Sequence, residues 1–142
     1  MIAREVSVLV VDDDQIDTMA VCRSFRDLGI ARPVIEARDG IEGLACLRGE
    51  NGREKVSSPR LVLLDLNMPR MDGFEFLDEL RADPALRRTV VFVMTTSAAA
   101  EDRMRAYDRN VAGYILKHPP GEAFAESIAM LRHYWRVITF PD

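Results

Sequence analysis

The chain has 142 residues, 48% of them apolar and 30% charged, with a net charge of −4. That length suits one domain, and the apolar fraction is too high for a disordered chain. No apolar run approaches the ~18–20 residues of a membrane helix, no secretory signal opens the sequence, and a mildly acidic chain with scattered arginines is a poor match for nucleic acid. Cys22 and Cys46 lie far apart, with no C-x-x-C and no His partner, which predicts two buried reduced thiols and a cytosolic setting. The phosphate loop, the G-x-G-x-x-G turn and H-E-x-x-H are all missing, so the commonest NTPase, dehydrogenase and zinc-protease readings drop out. Of the 19 basic residues 17 are Arg; only Lys55 and Lys117 are Lys.

In chain order, strand-length apolar runs alternate with helix-periodic segments. Residues 6–11 form a nearly continuous apolar strand, and residues 16–28 carry Ile16, Met19, Ala20, Phe25 and Leu28 at helical spacing, with Gly29 as a stop. A short strand over 33–37 precedes a helix capped by Asp39 and bearing Ile41, Leu44, Ala45 and Leu47. Residues 50–59 are polar and predict a loop. The third strand, 61–64, ends at Asp65; a helix over 74–80 follows, with Asp72 as its cap and Asp83-Pro84 as its breaker. The fourth strand spans 90–94, and a helix over 101–109 holds Met104 and Tyr107 and ends at Asn110. The fifth strand is 114–116, and the last helix, 121–137, sets Phe124, Ile128, Leu131 and Trp135 on one stripe. Five strand–helix units imply one α/β domain with a parallel sheet covered on both faces.

Ligands of open parallel sheets bind beyond the carboxyl ends of the strands. Here those ends carry Asp12-Asp13-Asp14, Asp65, Thr95-Thr96-Ser97 and Lys117, whereas the second strand ends in Ala37-Arg38 and offers no acid. Clustered carboxylates repel one another unless a cation lies between them, and oxygen ligands suit Mg²⁺. A carboxylate beside Mg²⁺ and an ammonium group is a credible phosphoryl acceptor, because phosphoryl transfer asks mainly for positioning and charge neutralisation. Each residue also has a plainer reading. Asp14 suits a helix cap, Thr95 is a common strand residue, and Tyr114 is more often core than switch.

Together these residues resemble the receiver domain of two-component response regulators, over roughly residues 5–137. The run Asp65-Leu66-Asn67-Met68-Pro69-Arg70-Met71-Asp72-Gly73 is the most specific part. The resemblance implies a doubly wound, five-stranded parallel sheet of flavodoxin-like type, strand order 2-1-3-4-5, with five helices. It implies that Asp65 is phosphorylated by a histidine kinase, and that Mg²⁺ is held by Asp12, Asp13, Asp65 and the Asn67 backbone carbonyl. Asp13 would bind the metal directly and Asp12 mainly through water. Thr95 and Lys117 would contact phosphoryl oxygens, Thr95 and Tyr114 would form the switch, and Asn67 and Ser97 would help set the dephosphorylation rate. Such a protein is a phosphoryl acceptor that promotes its own phosphorylation and dephosphorylation rather than an enzyme with turnover. One departure stands out: the family usually has Pro directly after the lysine, and here the run is Lys117-His118-Pro119-Pro120.

After the fifth helix only residues 138–142 follow, too few for a DNA-binding output domain, so residues 1–142 are expected to act as a single receiver domain that signals through its surface to a protein partner. The Thr-Thr-Ser run and the aromatic, proline-containing ending resemble the small regulators paired with bacterial phytochrome kinases. A homodimer through the fourth and fifth helices, the fifth strand and the tail is therefore expected. Two other functions compete. An aspartyl-phosphate phosphatase would need a second acid where Asn67 stands, and a phosphorylation-independent adaptor would not need all five site positions filled by competent residues.

Overall fold

The computed structural model describes residues 6–30, 32–117 and 122–141, excepting the side chains of 122–124. Its elements are β1 (Ser7–Val11), α1 (Gln15–Asp27), β2 (Ile35–Ala37), α2 (Gly40–Arg48), β3 (Arg60–Leu64), α3 (Gly73–Ala82), β4 (Val90–Thr95), α4 (Ala100–Asp108), β5 (Gly113–Leu116) and α5 (Glu122–Val137). All strand pairings are parallel, in the order β2-β1-β3-β4-β5. Fold class and strand order are those expected, and the element bounds move by a residue or two.

The two-residue period of the strands sorts their side chains into two cores. Leu9, Val11, Val62, Leu64, Val91 and Val93 face one side, where Leu44 and Leu47 of α2, Phe76, Leu77 and Leu80 of α3 and Ala106 of α4 cover them. Val8, Val10, Leu61, Leu63, Phe92 and Met94 face the other, beneath Val21 and Phe25 of α1, Ile128, Leu131 and Trp135 of α5, and Phe140 of the tail. Trp135 stacks on Phe25 with ring centroids 5.7 Å apart. Tyr134 meets Phe92 edge-on at 5.0 Å.

Helix ends follow the local chemistry. Asp14 accepts from the amides of Ile16 and Asp17, Asp39 accepts from that of Glu42, and Asp72 and Glu75 form a reciprocal capping box. Gly29 and Asn110 stop their helices at φ 75° and 61°. The phase of α1 differs from expectation. Its inward stripe is Thr18, Val21 and Phe25, while Ile16 and Met19 are 78% and 60% exposed. Capping at Asp14 fixes where the helix starts, and residues 18, 21 and 25 then fall on the sheet side. Met104 and Tyr107 of α4 are also exposed. Cys46 is buried as expected, but Cys22 is only half-buried; both are free thiols, raised by burial. No helix of the described residues is long and apolar enough to cross a membrane.

Candidate functional site

The sheet ladder runs one residue past each strand end that carries chemistry. The Asp12 amide donates to Ala37 O, that of Asp65 to Val11 O and that of Lys117 to Thr95 O, each at 2.9 Å. The acids and the lysine therefore project from backbone fixed on neighbouring strands. Gly73 allows the start of α3 to close behind Asp65: a Cβ there would lie 2.6 Å from Asp65 O and 2.7 Å from Leu66 Cα. This close approach explains the glycine ending the signature run.

Asp12, Asp13 and Asp65 each offer a carboxylate oxygen, all within 4.8 Å of one another. Lys117 Nζ donates to Asp12 at 2.8 Å and to Asp17 at 2.9 Å, and lies 3.4 Å from Asp65 Oδ2. Burial pushes the Asp12 carboxyl up to about 6, against the opposing pull of Lys117 and the Asp14 amide. Burial works against the Lys117 ammonium, yet its bonds to Asp12 and Asp17 and the Asp65 charge hold it above the ordinary lysine range. Three carboxylates around one spot, one costly to ionise, form a donor set suited to a hard divalent cation. Asp12 already accepts from the Asp14 amide and from Lys117, whereas Asp13 is exposed.

Above the cluster opens a cleft of about 620 Å³ lined by Asp13, Asp14, Gln15, Asp17, Arg38, Asp65, Asn67, Thr96 and Lys117. Asp14 thus caps α1 and faces the cleft as well. Thr96 rather than Thr95 lines the wall; Thr95 is fully buried, and its Oγ1 accepts from the Ser97 amide at 3.3 Å. Ser97 joins several groups. Its Oγ donates to Asp102 at 2.6 Å, and its carbonyl accepts from the half-buried Tyr114 hydroxyl at 2.8 Å. His118, Pro119 and Pro120 lie outside the described residues.

Three cleft-lining residues, Gln15, Asp17 and Arg38, carry no role in the sequence reading. Asp17 sits in the first turn of α1 and reaches a lysine 100 residues away, a pairing that no local pattern announces. Arg38 directly follows β2, and a single arginine after a strand carries no sequence signal that sets it apart from an ordinary surface residue.

Residues 8–129 match the response regulator receiver domain family, and the chain belongs to it. It is 35% identical over 128 residues to a probable methanogenesis regulatory protein, FilR2, of Methanothrix harundinacea, covering 90% of this chain and 82% of that protein. It is 31% identical over 135 residues to the response regulator Rcp1 of Synechocystis, covering 94% and 92% of the two chains. The Mn²⁺-bound Rcp1 crystal structure superposes with a TM-score of 0.83 at 29% identity, over 98% of this chain and all of that one. The phosphorylated cyanobacterial phytochrome response regulator RcpA gives 0.86 at 32% identity, over 96% and 98%. The protein is thus a response regulator receiver of two-component signalling, similar to phytochrome response regulators, with an acidic cluster fit for a divalent metal.

Proposed function

We propose that this receiver accepts a phosphoryl group on Asp65 from a histidine kinase of phytochrome type, in a Mg²⁺-dependent reaction in the cytosol. The observation that carries the reading is the Asp65 carboxylate, one oxygen of a three-carboxylate cluster and 3.4 Å from the Lys117 ammonium. Asp12 and Asp13, with the Asn67 carbonyl, would hold the ion; bound there, Mg²⁺ supplies neutralising charge for phosphoryl oxygens. An Asp65 Oδ forms the new O–P bond as the donor's P–N bond breaks. The electron pair of that bond stays with the imidazole, which takes a proton from solvent.

Lys117 then stabilises the added phosphoryl charge, and Thr95 leaves the Ser97 amide to reach a phosphoryl oxygen. Because Ser97 also holds Tyr114 and Asp102, that movement reaches β5 and α4, so the about −1.5 to −2 of added charge biases a surface that partners contact. Asn67, which lines the cleft with Asp65, and Ser97, two residues beyond Thr95, would set how readily water removes the group. Asn67 leaves no second acid beside Asp65, which argues against phosphatase turnover.

The test is incubation with acetyl phosphate and Mg²⁺, followed by intact-mass measurement. Wild type gains one phosphoryl group, and the gain disappears with EDTA and in Asp65→Asn. Persisting gain in Asp65→Asn would remove Asp65 from the role.

A further inference from the structure

Lys117 is the obvious cation of the cleft, yet its charge is already shared. Its side chain is 4% exposed and is surrounded by Asp12, Asp17 and Asp65 at 2.8, 2.9 and 3.4 Å. Against it the cleft wall presents Asp13, Asp14, Asp17 and Asp65. Even after a divalent cation is bound, a phosphodonor bearing two negative charges approaches a rim rich in carboxylates.

One further positive group stands on that wall. Arg38 follows the last residue of β2, where the Ala37 carbonyl accepts from the Asp12 amide at 2.9 Å, so its backbone is fixed beside the acid pair. Its side chain is exposed, and its guanidinium makes no ion pair or hydrogen bond with the described residues. The next residue cannot serve as its partner: Asp39 caps α2 and takes Arg70 at 2.7 and 2.6 Å. Arg48, Arg53, Arg81 and Arg109 likewise all have partners. β2 and β3 are separated only by β1, roughly 10 Å in strand spacing, which an extended arginine and one phosphoryl oxygen together span.

Building on the reading of Asp65 as acceptor, we propose that Arg38 is a donor-binding residue. Its free guanidinium receives the phosphoryl oxygens of the incoming donor at the cleft mouth and favours donors with two negative charges. The planar fork of arginine suits paired phosphoryl oxygens, and an exposed cation at a focused acidic mouth acts chiefly on the encounter rate. In the transfer the Asp65–O–P bond forms and the donor's bond to phosphorus breaks. The pair leaves with acetate from acetyl phosphate, or with ammonia from phosphoramidate; Arg38 gives up no proton.

The experiment compares wild type, Arg38→Gln and Arg38→Lys at saturating Mg²⁺ and neutral pH. It uses acetyl phosphate, a dianion, and phosphoramidate, whose net charge is a single negative one. The readout is the second-order rate constant for the gain of one phosphoryl group at low and high salt. We expect Arg38→Gln to lower the acetyl phosphate constant about 3- to 10-fold at low salt, with a smaller loss at high salt and less than about twofold with phosphoramidate. Arg38→Lys keeps most of the wild-type constant, and the rate of phosphoryl loss from Asp65 stays the same in all three. Equal constants for wild type and Arg38→Gln with acetyl phosphate would overturn the proposal, as would an equal fall with both donors. If wild type gains no phosphoryl group from either donor, the acceptor reading itself falls, and this one with it.

Discussion

At the scale of single residues, the site is a set of charges held close at a cost. Asp12 is 8% exposed, and its carboxyl is raised to about 6 chiefly by burial. An unfolded aspartate titrates near ~3.9, so between about pH 4 and 6 the folded state binds more protons than the unfolded one. Stability from this group is therefore full below about pH 4 and lost as pH rises through about 6, by on the order of 2 kcal/mol. In EDTA, urea unfolding should show wild type less stable at pH 7 than at pH 5, with this slope flattened in Asp12→Asn. Adding Mg²⁺ to 100 times its Kd at pH 7 should raise stability by about 2.7 kcal/mol, a gain that Asp13→Asn largely removes. A slope of opposite sign in wild type, repeated in Asp12→Asn, would refute the burial argument. The strand-end acids and Lys117 were legible because each directly follows an apolar run whose direction is fixed by the sheet. Asp17 was not legible, because its role comes from a contact made only when the first and last strands lie in one sheet.

Among elements, loops rather than strands needed the structure. The loop between β3 and α3 turns at Arg70, whose φ of 63° puts a non-glycine residue in the left-handed region. Its two-pronged pairing with Asp39 offsets that cost and ties the loop to the start of α2. At the other end of α3, Arg81 donates to four backbone carbonyls, those of Arg109, Arg87, Thr89 and Asn110, at 2.7–2.9 Å. One guanidinium thereby satisfies the chain before β4 and after α4. Arg81→Ala should cost about 2–3 kcal/mol in urea unfolding, and Arg81→Lys should restore little, since an ammonium cannot span four acceptors. Full recovery in the lysine variant would mean that charge, not the fork, holds these loops. Sequence placed the caps at Asp14, Asp39 and Asp72 because capping is local. The inward face of α1 differs from the sequence reading because Ile16 and Met19, although apolar, lie on the exposed side of the helix, away from the Thr18, Val21 and Phe25 stripe. The left-handed Arg70 gave no signal at all, since nothing about an arginine announces that geometry.

For the whole molecule, the tail is part of the fold. Trp135 and Phe140 are 6% and 5% exposed in the core under α1 and α5, whereas Val137 is 66% exposed. Cutting the chain after Arg132 would therefore strip a core, and a change of solution mass in such a truncation would not isolate an interface. We propose instead that the exposed Val137, with Leu116 at 42%, marks the face through which two copies pair by α4, β5, α5 and the tail. Val137→Asp should lower the sedimentation mass from dimer to monomer and shift the melting temperature by no more than a few degrees. Trp135→Ala should cost about 3–5 kcal/mol in urea unfolding. A monomeric wild type would dismiss the pairing. The alternation of strands and helices made the two-sided sheet readable from sequence, but which aromatic residues the tail keeps for itself depends on packing that no periodicity reports.

The stacking of Trp135 on Phe25 also decides what light can reveal about this protein. It is the chain's one tryptophan, and Phe25 lies roughly 16 Å down α1 from Asp14 at the cleft. Its emission should record whether the second core is assembled and stay silent when the cleft is loaded. Intrinsic fluorescence is thus a clean reporter of unfolding, and following phosphorylation optically requires a dye placed near α4.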